Sequence, residues 1–215
     1  MCIRDSTAIV RGHLTQGVQP CVKHFPGHGD TTADSHYALP KVDTDLETLR
    51  EREFRPFVKA FKSRCSMVMI AHVVNHHIDP KLPSSLSPKY VREILRNELR
   101  YSKLVLTDDM EMKAITDHFG AEDAPRMALE AGCDLLIYRS EAASRHAYAS
   151  LIKALDDGKL DPQIVLDSAQ RSRTLKMDGL EKYEPITVSE LGDKIGTAEH
   201  LAFVAKIEEA AGLKG

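Results

Sequence analysis

The 215 residues carry 29 Lys and Arg against 32 Asp and Glu, for a formal net charge of −3, and 42% of them are hydrophobic. A chain of this length and balance supports one soluble domain with a sizeable core. It offers no basic block to a nucleic acid and no apolar run of about eighteen residues to a membrane, so neither partner is expected. The four cysteines, Cys2, Cys21, Cys65 and Cys133, form no CxxC pair. They read as reduced core thiols, which points to a cytoplasmic location.

The first six residues, MCIRDS, lack the basic and apolar regions of a signal peptide. A helical pattern follows almost at once. Four short apolar runs then punctuate the chain. They are Cys21-Val22 leading into Lys23-His24-Phe25, Met67 to Ala71, Leu104 to Leu106, and Cys133 to Tyr138. None alternates strictly, as expected of strands buried on both faces in a parallel sheet.

Between these runs the apolar spacing is helical. Leu46, Leu49, Phe57, Val58 and Phe61 predict one helix. Val91, Ile94, Leu95 and Leu99 predict another, opened by Ser87 as cap and Pro88 as first residue. Ala124 to Ala131 stops at Gly132. Tyr148, Leu151, Ile152 and Leu155 mark a helix ending near Gly158, and Asp161-Pro162 opens one running to about Lys176. Repeated strand–helix units predict an α/β fold with a parallel sheet. Doubly wound and (β/α)8 arrangements both fit this alternation. The absence of GxGxxG and Walker sequences, and polar residues placed directly after strands, favour the barrel. The expected division is a barrel part over 1–178 and a helical tail or linker over 179–215, with one helix over 198–211.

The densest polar stretch runs from Lys23 to His36, KHFPGHGDTTADSH. Asp34 and His36 lie two apart, so on extended chain they share a side. A carboxylate there can fix the tautomer of an imidazole suited to proton transfer. The plain alternative is a solvated loop of turn formers. Thr107-Asp108-Asp109 closes the third apolar run. On a strand the two carboxylates face opposite ways, which allows one to serve as nucleophile and the other as anchor. The plain alternative is that both cap the next helix. A third possibility is a metal site drawn from His24, His28, His36, His72, His76 and His77 with nearby aspartates, although no HExxH spacing occurs.

KHFPGHGDTTADSHYALP resembles the signature loop of glycoside hydrolase family 3 β-N-acetylglucosaminidases. LVLTDDMEMKAI is similar to the nucleophile segment of that family, and ALEAGCDLL follows its later barrel pattern. The resemblance covers roughly residues 8 to 178. It implies the C-terminal part of a (β/α)8 barrel, with about four earlier strands lying outside this sequence.

The resemblance also implies a retaining hydrolase of terminal β-linked N-acetylglucosamine, with muropeptides of cell-wall recycling among the substrates. Asp108 would be the nucleophile, and His36, oriented by Asp34, the acid/base. Lys23 and His24 would bind sugar hydroxyls, and His72 would line the pocket. No metal or other cofactor is implied, and the intact protein is expected to be a monomer. A half-barrel by itself would expose strand edges, so the 215-residue chain is expected to be poorly stable or self-associating, with little activity. The alternatives in other classes are a metal-dependent barrel hydrolase and a non-catalytic sugar-binding barrel.

Overall fold

The structure is a computed structural model and describes residues 3–29, 40–180 and 183–212. The chain divides into two compact units, Met1–Gly179 and Leu180–Gly215. The first opens with helix α1 (Ile3–Thr15) and strand β1 (Cys21–Phe25). Next come β2 (Lys41–Val42), α2 (Leu46–Glu51), α3 (Phe54–Lys62), β3 (Met67–Ile70) and β4 (Val74–Asn75). A π-helix (Lys89–Glu98) leads to β5 (Leu104–Asp109), then α4 (Lys113–Phe119), α5 (Asp123–Ala131), β6 (Leu135–Ile137), α6 (Glu141–Asp156) and α7 (Pro162–Leu180).

All four predicted strands form, and they pair in parallel in the order β1-β3-β5-β6. That order follows the chain without reversal. A doubly wound sheet reverses its strand order at a switch point, and none occurs here, so the sheet is an arc of a (β/α) barrel. Val68, Ile70 and Val105 are fully buried in the main core with Tyr90, Val91 and Leu95 of the π-helix. Phe25 stacks on Phe54 at 5.2 Å between ring centres. β5 is buried on both faces from Leu104 to Thr107, which is why it reads as an unbroken apolar run, whereas β3 alternates buried and half-buried residues and the outer strands β1 and β6 are more open.

The helix predicted across 46–61 is two helices. Pro56 has no N–H to offer the carbonyl four residues back, so it is tolerated only in a first turn. The chain breaks at Arg52-Glu53, and α3 begins at Phe54 with Pro56 in that turn. The predicted Ser87 cap is also not made. Its hydroxyl donates to Asp79 Oδ2 at 2.6 Å, and Pro88 takes the capping position. The helix that follows is wide, with Leu99 N–H reaching Ile94 O at 2.8 Å. Gly132 ends α5 at φ 111°. A Cβ there would stand 3.1 Å from Val91 Cγ1, so glycine serves both the turn and the close approach to the π-helix.

β2 and β4 form a small separate parallel pair, Lys41 beside Val74 and Val42 beside Asn75, which no sequence pattern announced. Val42 packs with Ala71 and Val73 just past the end of β3. The pair therefore belongs to the rim at the carboxyl ends of the main strands. The second unit holds a 3-10 turn (Val188–Glu190), α8 (Leu191–Lys194) and α9 (Ala198–Ala210). Thr187 and Glu190 cap the turn reciprocally, and Thr197 Oγ1 caps α9 through His200 N–H at 3.2 Å. No helix among the described residues is long and apolar enough to cross a membrane.

Candidate functional site

Polar side chains gather at the carboxyl ends of β1, β3, β5 and β6. Asp108 lies near the end of β5, after four buried residues, Leu104 to Thr107. Its Oδ2 stands 3.5 Å from Nε2 of His24 on β1. Its Oδ1 accepts the N–H of Asp109 at 2.8 Å. The two most separated features of the sequence reading, the Lys23-His24 pair and the Asp-Asp pair, thus meet across β3. Lys23 is exposed beside His24. Two cis peptide bonds, Lys23–His24 and Phe25–Pro26, lie in this stretch. At Gly27, φ is 127° and a Cβ would come within 2.6 Å of Glu53 Cγ, so no other residue fits that turn unchanged.

Burial holds the His24 imidazole below its usual pKa, outweighing the opposite pull of Asp108 and joined by Lys23 and His28. A neutral ring matters here. A charged imidazole at this distance would tie the carboxylate into an ion pair, whereas a neutral one does not.

Asp109 faces elsewhere. Its Oδ1 accepts the N–H of Glu111 at 3.0 Å, and its Oδ2 is 3.9 Å from Nε of Arg139 just past β6. One carboxylate of the pair is held within the turn while the other meets His24, as strand alternation predicts.

His72, expected to line the pocket, turns its ring into the protein. It is 1% exposed, and both ring nitrogens are engaged within the protein. Nδ1 lies 2.7 Å from Ser85 Oγ, and Nε2 lies 3.0 Å from the carbonyl of Asp109. No ring nitrogen is left for a sugar hydroxyl. Burial also holds its pKa below the usual value, against the pull of Asp109 and Asp108.

Both imidazoles are therefore harder to charge in the folded protein than in the unfolded chain. Their contribution to stability is whole above the unfolded value near 6.5 and is lost as pH falls through it, because the unfolded chain takes up protons first. The melting temperature should fall between pH 7 and pH 5, and His72→Gln should flatten that fall. A variant as steep as the wild type would remove His72 from the explanation.

Asp34 and His36 lie outside the described residues, as do Asp30 and the rest of that loop. Among the described histidines, His77 pairs with Asp43 at 2.8 Å on the rim, away from Asp108. Asp79 accepts the N–H groups of Lys81 and Leu82 and the hydroxyl of Ser87. No three His, Cys, Asp or Glu side chains converge among the described residues. Three neighbours of the site were not singled out from the sequence. Ser85 lies behind His72, and Arg139 lies beside Asp109. Glu111 accepts the N–H and hydroxyl of Ser140, tying the turn after β5 to the one after β6. Only the position of Arg139 just past a strand end could have marked it.

A cavity of about 700 Å³ lies along β1, roofed by α1 and α3. It meets the site through Lys23, His24, Gly27 and His28, but Asp108 is not in its wall. Its other walls mix apolar residues, among them Ile9, Val10, Val22 and Phe57, with the polar Ser6, His13, Gln19 and Glu53.

An arc of parallel strands with its polar residues at their carboxyl ends defines part of a (β/α)-barrel domain. The chain belongs to glycosyl hydrolase family 3: the description "Glycosyl hydrolase family 3 N terminal domain" matches residues 3–175. It is 34% identical over 138 residues to the beta-hexosaminidase of Idiomarina loihiensis, covering 64% of this chain and 41% of that protein. It is 36% identical over 147 residues to the beta-hexosaminidase of Pseudomonas aeruginosa PAO1, covering 67% and 43%. Among solved structures, a glycoside hydrolase family 3 beta-N-acetylglucosaminidase from Paenibacillus sp. str. FPU-7 aligns with a TM-score of 0.88. Its identity is 37%, over 96% of this chain and 40% of that one. The chain thus spans about two-fifths of the length of these relatives.

Proposed function

We propose that the protein is a retaining β-N-acetylglucosaminidase working through a glycosyl-aspartate on Asp108. The observation that carries this reading is the carboxylate itself. Asp108 ends a buried strand, one oxygen is held by the Asp109 N–H, and the other faces a neutral His24 at 3.5 Å. A nucleophile needs this combination of charge, fixed orientation and an open direction of approach.

Lys23 and His24 bind hydroxyls of the sugar. His36, oriented by Asp34, gives its proton to the departing glycosidic oxygen as Asp108 attacks the anomeric carbon. The bond to the aglycone breaks and the glycosyl-aspartate forms. His36 then takes a proton from water, which attacks the same carbon and releases the sugar with retained configuration. The attacking group is the protein's own carboxylate, not the substrate acetamide. Family membership and the likeness to named beta-hexosaminidases support N-acetylglucosamine as the sugar. Muropeptides are one class of aglycone that carries it.

The test is intact-mass analysis after incubation with a fluorinated N-acetylglucosaminide that accumulates the intermediate. One sugar adduct per chain, mapped to Asp108, is expected. Turnover of an aryl N-acetylglucosaminide with no adduct would move the reading to substrate-assisted or metal-assisted chemistry.

A further inference from the structure

We propose that His72 is a positioning residue that holds Asp108 in line through the backbone of Asp109. This rests on the reading of Asp108 as nucleophile and deepens it.

The backbone pairing of β3 with β5 ends at Ile70 beside Thr107. On the β3 side the next two residues of β5, Asp108 and Asp109, have no ladder, although β6 still pairs Ile137 with Asp109 on the other side. The His72 side chain takes over where the ladder stops. A carbonyl oxygen can only accept, so Nε2 facing Asp109 O at 3.0 Å carries the hydrogen. In a neutral ring Nδ1 is then an acceptor, and Ser85 Oγ donates to it at 2.7 Å. Ser85 is itself fully buried, which fixes the ring from behind.

His72 thus grips the carbonyl of Asp109, while the N–H of the same residue holds Asp108 Oδ1 at 2.8 Å. Turning Asp109 about its backbone would swing that N–H and the Asp108 carboxylate with it. A misplacement of about 1 Å at a reacting atom costs on the order of 100-fold in rate. The cost falls on the chemical step rather than on binding, because His72 has no nitrogen free for substrate.

The experiment compares His72→Phe, His72→Gln, Ser85→Ala and Asp108→Ala in the intact protein. Its readouts are steady-state kinetics on an aryl N-acetylglucosaminide, the rate of adduct formation with the fluorinated probe, and nitrogen-15 shifts of the wild-type ring. We expect His72→Phe to lower kcat and adduct formation by about 10- to 100-fold, with KM changed by less than about twofold. His72→Gln, whose amide can donate to Asp109 O, should recover most of that loss. Ser85→Ala should lower kcat several-fold in the same sense, and it serves if His72→Phe does not fold. The ring shifts should report hydrogen on Nε2.

Hydrogen on Nδ1, or a His72→Phe variant with wild-type kcat, would overturn the inference. So would a loss shared equally by kcat and KM, or a Gln variant no better than Phe. If these occur while the adduct stays confined to Asp108, the nucleophile reading survives alone. An adduct that persists in Asp108→Ala removes the nucleophile reading and the inference with it.

Discussion

Asp108→Ala should lower turnover of an aryl N-acetylglucosaminide by at least about 10⁴-fold, on the order of 5 kcal/mol in the barrier, with the fold unchanged. The size follows from what is removed. Without the carboxylate no glycosyl-aspartate can form, and the two easier displacements collapse into one attack by unassisted water. The neighbours of Asp108 do not need its charge to stay in place. His24 is neutral and half-buried, and the Asp109 N–H can be met by water at the open mouth.

Added azide should restore turnover, because a small anion fits the space the side chain leaves and attacks from the same face. Its product should be the α-glycosyl azide, inverted relative to the substrate. A β-configured azide, or no rescue together with an activity loss below about tenfold, would mean that the attacking group lies elsewhere.

Asp134→Ala should destabilise the first unit by about 3–5 kcal/mol, which for a chain of this size is a fall of roughly 10 °C or more in melting temperature. Asp134 is the buried hub behind the sheet, with a side chain at 0% exposure. Its Oδ2 takes Arg96 at 2.6 Å and the N–H of Val105 at 2.8 Å, and its Oδ1 takes Arg171 at 2.8 Å. One carboxylate therefore joins the π-helix, the start of β5, the approach to β6, and α7.

Alanine would strand a buried backbone N–H and two guanidinium groups at once. Arg96, which also reaches the carbonyls of Tyr101 and Lys103, should rank next. Arg171 is half-exposed, so its pair is screened and Arg171→Ala should cost no more than about 1 kcal/mol. If Asp134→Ala melted within a degree or two of the wild type, the hub would contribute to the fold far less than its geometry implies.

Much of the molecule is legible in the sequence. The four strands read correctly because each is a short apolar run that needs no distant information, although only β5 is buried on both faces. Gly132, Gly158 and Asp161-Pro162 marked helix ends because the chain's local angles depend on those residues alone. Pro56 carried the break between α2 and α3 in the same local way, although the apolar spacing across it concealed the break. That Asp108 and Asp109 point different ways was also local, since alternation along a strand sends neighbours to opposite faces.

What the tertiary structure decided is set by residues far apart in sequence. His72 and Asp109 are 37 positions apart, as are Arg171 and Asp134, and no pattern along the chain relates them. Sequence alone placed His72 at a strand end among several histidines with similar prospects. Only packing turned its ring inward onto Ser85 and Asp109 and left His24 to face Asp108. The β2–β4 pair is two residues long, too short for periodicity to register, and it exists because the rim brings Lys41 beside Val74. The sequence by itself determined the four main strands, most helix ends and the residues able to do chemistry. Their selection and aim came from the parallel sheet, which brings the ends of β1, β3 and β5 together.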